Sequence, residues 1–213
     1  MVSINKYDDR RPVLLTWLSG VLIRTLAALL FFAIPGKAQS GTLLGKIEVT
    51  QGKKDENTVV YLREVKGNYG LPQKPAVMDQ KGKVFIPHLL PVQQGQTLRF
   101  KNSDTFSHNA HVYWGRRSMS NQSQPPNGYT DWTPARTGEY LILCNIHEEM
   151  SAFLLVLNHP FFAEAASSEF KIENIPEGTY TLVAVRDVKG NLKEKATEVV
   201  IKSGETTRVT IQH

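Results

Sequence analysis

The chain holds a single cysteine in 213 residues, Cys144, so no disulfide can form within it. A lone thiol equally excludes any centre that needs two thiolates from one chain. Six histidines, mostly scattered, are too few for several imidazole clusters, and four methionines, Met1 included, do not make a methionine-rich metal carrier. Beyond residue 40 there is no helical periodicity of useful length, no repeat and no low-complexity tract. A basic stripe is missing too. The net charge of +5 arises largely at the N-terminus, where Lys6, Arg10, Arg11, Arg24 and Lys37 face only Asp8 and Asp9. The rest of the chain carries 20 Lys and Arg against 18 Asp and Glu, which argues against nucleic acid as a partner.

What is present is an ordinary globular composition, 41% hydrophobic and 21% charged, with length for one large domain or two small ones. The N-terminus reads as an export segment: Arg10-Arg11 precedes a largely apolar stretch from Val13 to Ile34. Pro35-Gly36 then breaks it, and small residues at Ala38 and Ser40 suit cleavage. Residues 1–40 are therefore expected to be a signal peptide or an N-terminal membrane anchor, with Arg24 arguing against a stable span. The expected location is the periplasm, with membrane contact only through an uncleaved anchor. Arg10-Arg11 faintly resembles a twin-arginine signal but lacks the usual flanking residues.

After residue 40 short strand patterns recur. Leu98 and Phe100 alternate with Thr97, Arg99 and Lys101; Phe170 and Ile172 with Lys171 and Glu173; Val209 and Ile211 with Arg208 and Thr210. Turn signals such as Lys81-Gly82, Gln94-Gly95, Pro176-Glu177-Gly178 and Lys189-Gly190 separate them. The expected fold class is all-β, of sandwiches or barrels. Tyr140–Leu143 and Phe153–Leu157 are apolar on both faces, which places them in the centre of a sandwich or beneath a second domain.

Cys144 follows Tyr140-Leu141-Ile142-Leu143 and opens Cys144-Asn145-Ile146-His147-Glu148-Glu149-Met150. Taken alone it is open to two readings. It is a small buried hydrophobe with a chance His and Met nearby, or it is one donor of a thiolate, imidazole and thioether set of the kind that binds copper for electron transfer. The second reading needs another imidazole, for which His108 in Ser107-His108-Asn109-Ala110-His111-Val112 is the best donor.

With Phe85–Asp104 and Gly138-Glu139-Tyr140, these segments occur in an order that resembles the cupredoxins, most closely the amicyanin and plastocyanin branch, over roughly residues 70–157. The resemblance implies a Greek-key β-sandwich binding one type 1 (blue) copper. Its equatorial ligands would be His108, Cys144 and His147, with Met150 as the weak axial ligand. Asn109 would donate its backbone N–H to the thiolate while its side chain ties the two ligand loops together. Amicyanin-like loops commonly carry proline beside the second His, where this chain has Ile146 and Glu148. Glu148-Glu149 beside that His is either a docking feature for a basic partner or a solvated turn. His111 falls on the opposite strand face from His108 and is expected to be structural. His88 is expected to pack or hydrogen-bond, and Met78 and Met119 to pack or lie at the surface. His159 lies in an inter-domain link and His213 at the terminus.

Glu169–Asp187, with Pro176-Glu177-Gly178-Thr179-Tyr180 at its turn, resembles the second half of carboxypeptidase-regulatory-like domains, small transthyretin-like β-sandwiches. Gly41–Ile47 and Val59-Val60-Tyr61-Leu62 match the first half. The resemblance implies a split sandwich of residues 41–69 and 158–213 with a copper domain, 70–157, inserted. The alternative is two sequential domains, with 41–66 supplying the first cupredoxin strands. The combination is similar to methylamine-utilisation-like proteins, which implies a redox protein, such as a dehydrogenase, as partner. The expected function is a one-electron carrier, not an enzyme; copper delivery or storage without redox turnover is the alternative.

Overall fold

Strand alternation dominates the architecture, a computed structural model that describes residues 40–48, 57–165 and 167–212. Apart from Ser40, the expected export segment lies outside the described residues, as does His213. No helix occurs among the described residues, so none is long and apolar enough to cross a membrane. The chain is all-β.

Residues 76–157 build one sandwich. Its four-stranded sheet contains β3 (Ala76–Gln80), β4 (Phe85–Ile86), β6 (Leu98–Asn102) and β9 (Tyr129–Trp132), in the order β4-β3-β6-β9. Its five-stranded sheet contains β5 (Leu89–Gln93), β7 (His108–Trp114), β8 (Arg117–Gln124), β10 (Gly138–Leu143) and β11 (Ser151–Leu157), in the order β5-β11-β10-β7-β8. The chain crosses between sheets at β4→β5, β5→β6, β6→β7, β8→β9 and β9→β10, and β7 and β10 are antiparallel neighbours although two strands separate them in sequence. Sheet switching of this kind is the Greek-key arrangement.

The second sandwich joins both ends of the described chain. β1 (Ser40–Glu48) lies between β13 (Glu169–Pro176) and β16 (Thr206–Gln212). The sheet facing it has the order β12-β2-β14-β15, from β2 (Thr58–Arg63), β12 (Phe162–Glu164), β14 (Gly178–Asp187) and β15 (Leu192–Ile201). In β13, Phe170 and Ile172 point into the core while Glu169, Lys171 and Glu173 face solvent. In each sandwich a tyrosine hydroxyl donates to the carbonyl four residues earlier, Tyr140 to Arg136 and Tyr180 to Pro176.

The inner sheets of the two sandwiches stack. On β14, Leu182 and Ala184 enter the core of their own sandwich, whereas Val183 and Val185 turn towards the other one. There they meet Leu89 of β5 and Leu155 of β11, with Val59 and Tyr61 of β2. Each fully buried aliphatic side chain contributes about 1.5–3 kcal/mol, so this junction is a third core in its own right. It accounts for the doubly apolar run Phe153–Leu157. The run Tyr140–Leu143 differs: Leu141 and Leu143 are only half-buried, because the second sandwich covers β5 and β11 rather than the far side of β10.

Candidate metal centre

His108 begins β7 and Cys144 follows β10, so two antiparallel neighbours deliver one donor each to the same end of the sandwich. The return to β11 is short. The Cys144 N–H donates to the Met150 carbonyl (3.1 Å) and the Met150 N–H to the His147 carbonyl (3.1 Å), which folds the loop back on itself. His147 is thereby turned towards Cys144. Met150, 1% exposed, belongs to the same apolar core as Cys144.

Three donor atoms converge. His108 Nδ1 lies 3.1 Å from His147 Nδ1, and Cys144 Sγ lies 4.0 Å from the first and 3.8 Å from the second. A point equidistant from all three lies about 2.1 Å from each, inside the range of about 2.0–2.3 Å over which nitrogen and sulfur bind a comparable first-row ion such as zinc. Among the described residues this is the one group of three His, Cys, Asp or Glu side chains able to share an ion. Two imidazoles and one thiol, with no carboxylate in the group, form a soft donor set suited to copper or zinc rather than magnesium or calcium. The residues present fit a single transition-metal ion.

The donors are held from behind. His108 is fully buried, and its Nε2 faces Asp104 Oδ2 at 2.8 Å. A carboxylate there accepts the Nε2–H and leaves the Nδ1 lone pair aimed at the other donors. Asp104 is itself fixed, because Oδ1 accepts from the Gly82 N–H (2.7 Å) and Oδ2 from the Lys83 N–H (3.1 Å). Burial pushes the Asp104 carboxyl up, but these amides and the His108 ring outweigh it and bring it below the usual carboxylate range. Buried Asn102 donates to the carbonyls of Phe106, Gln124 and Pro125, which pins the loop between Asp104 and His108.

Asn109 spans the two ligand segments through its side chain. Its Oδ1 accepts from the Asn145 N–H (2.7 Å) and lies 3.5 Å from Cys144 Sγ, while its Nδ2 donates to Asn121 and Asn145. His111 takes no place among the donors. Its Nδ1 faces both Asn145 Oδ1 (3.1 Å) and the Tyr113 hydroxyl (2.9 Å), and its Nε2 the Ser118 hydroxyl (2.9 Å), so it braces the residue next to Cys144. His88 is far from the centre in role as well as in sequence: it pairs with Asp187 (2.8 Å).

Two residues at the centre had no role in the sequence reading. One is Asp104. The other is Phe106, whose ring packs edge-on against both imidazoles, 5.0 Å from His108 and 5.5 Å from His147. Phe106 and Ile146 are exposed, so half-buried His147 reaches the surface within an apolar rim.

No family model and no curated relative matches the sequence. Solved structures similar to part of the chain include a Cu-containing nitrite reductase from Thermus scotoductus SA-01, 25% identical over 46% of this chain with a TM-score of 0.38. The chain spans a quarter of that protein's length. A mutant of amicyanin in its reduced Cu(I) form is 17% identical over 46% of this chain and 98% of its own, with a TM-score of 0.37. A purple cupredoxin from Nitrosopumilus maritimus is 16% identical over 38% of this chain and 99% of its own, with a TM-score of 0.36.

Proposed function

We propose that the chain is a one-electron carrier with a single type 1 copper, held by His108, Cys144 and His147 and, more weakly, by Met150. The observation that carries this reading is the triangle of His108 Nδ1, Cys144 Sγ and His147 Nδ1, whose centre suits one ion. Copper bound by two imidazoles and a thiolate can exchange one electron between its cuprous and cupric states.

The surrounding residues support the same reading. Asp104 holds the His108 ring in one tautomer, and Asn109 holds Asn145 beside the sulfur. Cys144 is 4% exposed, so water has little access to the sulfur. Donors locked in this way reorganise little when charge changes, which favours transfer over release of the ion. His147, rimmed by Phe106 and Ile146, is the exit towards a redox protein partner.

We further propose that residues 70–157 act as the copper domain within a split carboxypeptidase-regulatory-like sandwich of residues 41–69 and 158–213. The chain is proposed to be exported to the periplasm. Sequencing the N-terminus of the protein recovered from cells tests whether residues 1–40 are removed.

Loading the purified protein with Cu(II) tests the central proposal. An intense visible thiolate-to-copper charge-transfer band and a reversible redox couple are expected, and Cys144→Ser should lose the band. A colourless protein whose copper cannot be cycled overturns the carrier reading and leaves delivery or storage.

A further inference from the structure

Phe106 is 39% exposed, yet it is not a loose surface residue. Its carbonyl accepts from the side-chain amide of buried Asn102 at 2.8 Å. Its ring meets the His108 imidazole at 66° and the His147 imidazole at 63°, with centroids 5.0 and 5.5 Å away. The two imidazoles are 4.8 Å apart, so the three rings close a triangle of mutual contacts. Lys83 Nζ lies 5.9 Å from the Phe106 centroid, and the Lys83 amide holds Asp104 in the same turn. A cation near an aromatic face adds a further attraction.

Exposure at the metal centre is uneven. Cys144, Met150 and His108 are 4%, 1% and 0% exposed, whereas His147 is half-buried. Water or a small anion can therefore reach the donor triangle only alongside His147. Of the two apolar residues at this rim, Ile146 is the more exposed, at 53%, and Phe106 is the one against both imidazoles.

The ring contacts complement the hydrogen bonds. Asp104 fixes the His108 ring through Nε2, while the His147 ring packs against His108 and Phe106. Edge-to-face ring pairs are directional, so Phe106 favours one orientation of each imidazole. An apolar shell around a metal site also controls the access of solvent and outside ligands.

We propose that Phe106 is a positioning residue of the metal centre, bracing the His108 and His147 imidazoles and excluding small anions from the bound ion. The inference rests on the metal site of the reading above. Phe106 itself donates nothing to the ion.

Two measurements on the whole protein test this. The first is NMR of the metal-free protein, in which Phe106→Ala should shift the ring protons of both His108 and His147. The second is an azide titration of the Co(II)-loaded protein, followed by visible absorption. The parent should not respond, whereas Phe106→Ala should give a saturable change and bind Co(II) about tenfold more weakly. Phe106→Leu, which keeps apolar bulk without the ring, should show the same changes to a smaller extent. Phe106→Tyr, which keeps the ring, and Ile146→Ala, at the same rim, should behave as the parent. Amide dispersion in each variant reports whether the fold is intact. Azide binding to the parent overturns the proposal, as does an equal azide response in Ile146→Ala. Unchanged imidazole signals in folded Phe106→Ala or Phe106→Leu overturn it too. A parent that takes up neither Co(II) nor Cu(II) overturns the carrier reading instead, and the imidazole signals of the metal-free protein still decide the role of Phe106.

Discussion

Asp104 accepts from Nε2 of the fully buried His108 at 2.8 Å, and so decides which nitrogen of that ring faces Cys144. The ring cannot turn without breaking this bond, and Asp104 cannot move without losing the Gly82 and Lys83 amides. Replacing Asp104 by Ala should therefore act at the metal rather than on the fold at large. The expected loss of metal affinity is about 10–100-fold, measured by competition with a chelator. An affinity within twofold of the parent would show that the ring is positioned by packing alone.

His159 sits in the link between β11 and β12, 1% exposed, and its Nδ1 accepts from the Phe161 N–H. Burial pushes its pKa below the ordinary histidine range, and backbone hydrogen bonds raise it only in part. The folded state thus binds its proton less readily than the unfolded state. Stability from this group is fully present above about pH 6.5 and falls as the pH drops from there through the depressed folded value. Desolvation moves the Glu139 and Glu164 carboxyls the other way, but both residues are exposed and screened by solvent, so what they contribute is small, present at low pH and lost as the pH rises. Urea midpoints at about pH 7.5 and 5.5 separate the effects, because His159→Gln should flatten the acid-side loss while leaving the carboxylates in place. An identical pH slope in the variant would assign that loss to other groups.

The strands were readable because alternation is a local property: Phe170 and Ile172 against Lys171 and Glu173 needs only four consecutive residues. The convergence of three side chains was readable for a similar reason, since Cys144 and His147 share one loop and His108 opens a strand pattern. Asp104 was not. A carboxylate four residues before a histidine is ordinary in sequence, and what makes this one rigid is a pair of amides about twenty residues upstream. Likewise 99 residues separate His88 from Asp187, and only the stacking of the inner sheets brings them together. The half-burial of Leu141 and Leu143 was hidden too, because it depends on which strands the second sandwich covers.

Gly45 pairs with Phe170 across β1 and β13, and the tip of the phenylalanine ring lies where a Cβ would stand. Phe170 is 5% exposed and belongs to the core of the second sandwich, so its ring must shift within that core to admit a methyl group. Gly45→Ala should destabilise the protein by about 1–3 kcal/mol, the range for overpacking a filled core, measured by urea unfolding. Pairing it with Phe170→Leu should recover part of the loss. A neutral Gly45→Ala would mean that the ring does not occupy this place in solution.

His108 and His111 are three residues apart on one strand, yet their rings lead opposite lives. The Nδ1 of His108 is 3.1 Å from His147 Nδ1 in a fully buried setting, whereas the Nδ1 of His111 is engaged by Asn145 and Tyr113. His108→Ala should abolish specific metal binding, because it removes one of three converging donors and leaves a hole lined by Asp104 and Phe106. His111→Ala should keep the metal and its visible band, since Asn109 still holds Asn145 from the other side through both its side-chain oxygen and nitrogen. Copper stoichiometry and absorption of the two variants distinguish the roles directly. Loss of the band in His111→Ala with retention in His108→Ala would reverse the assignment of the imidazole donor.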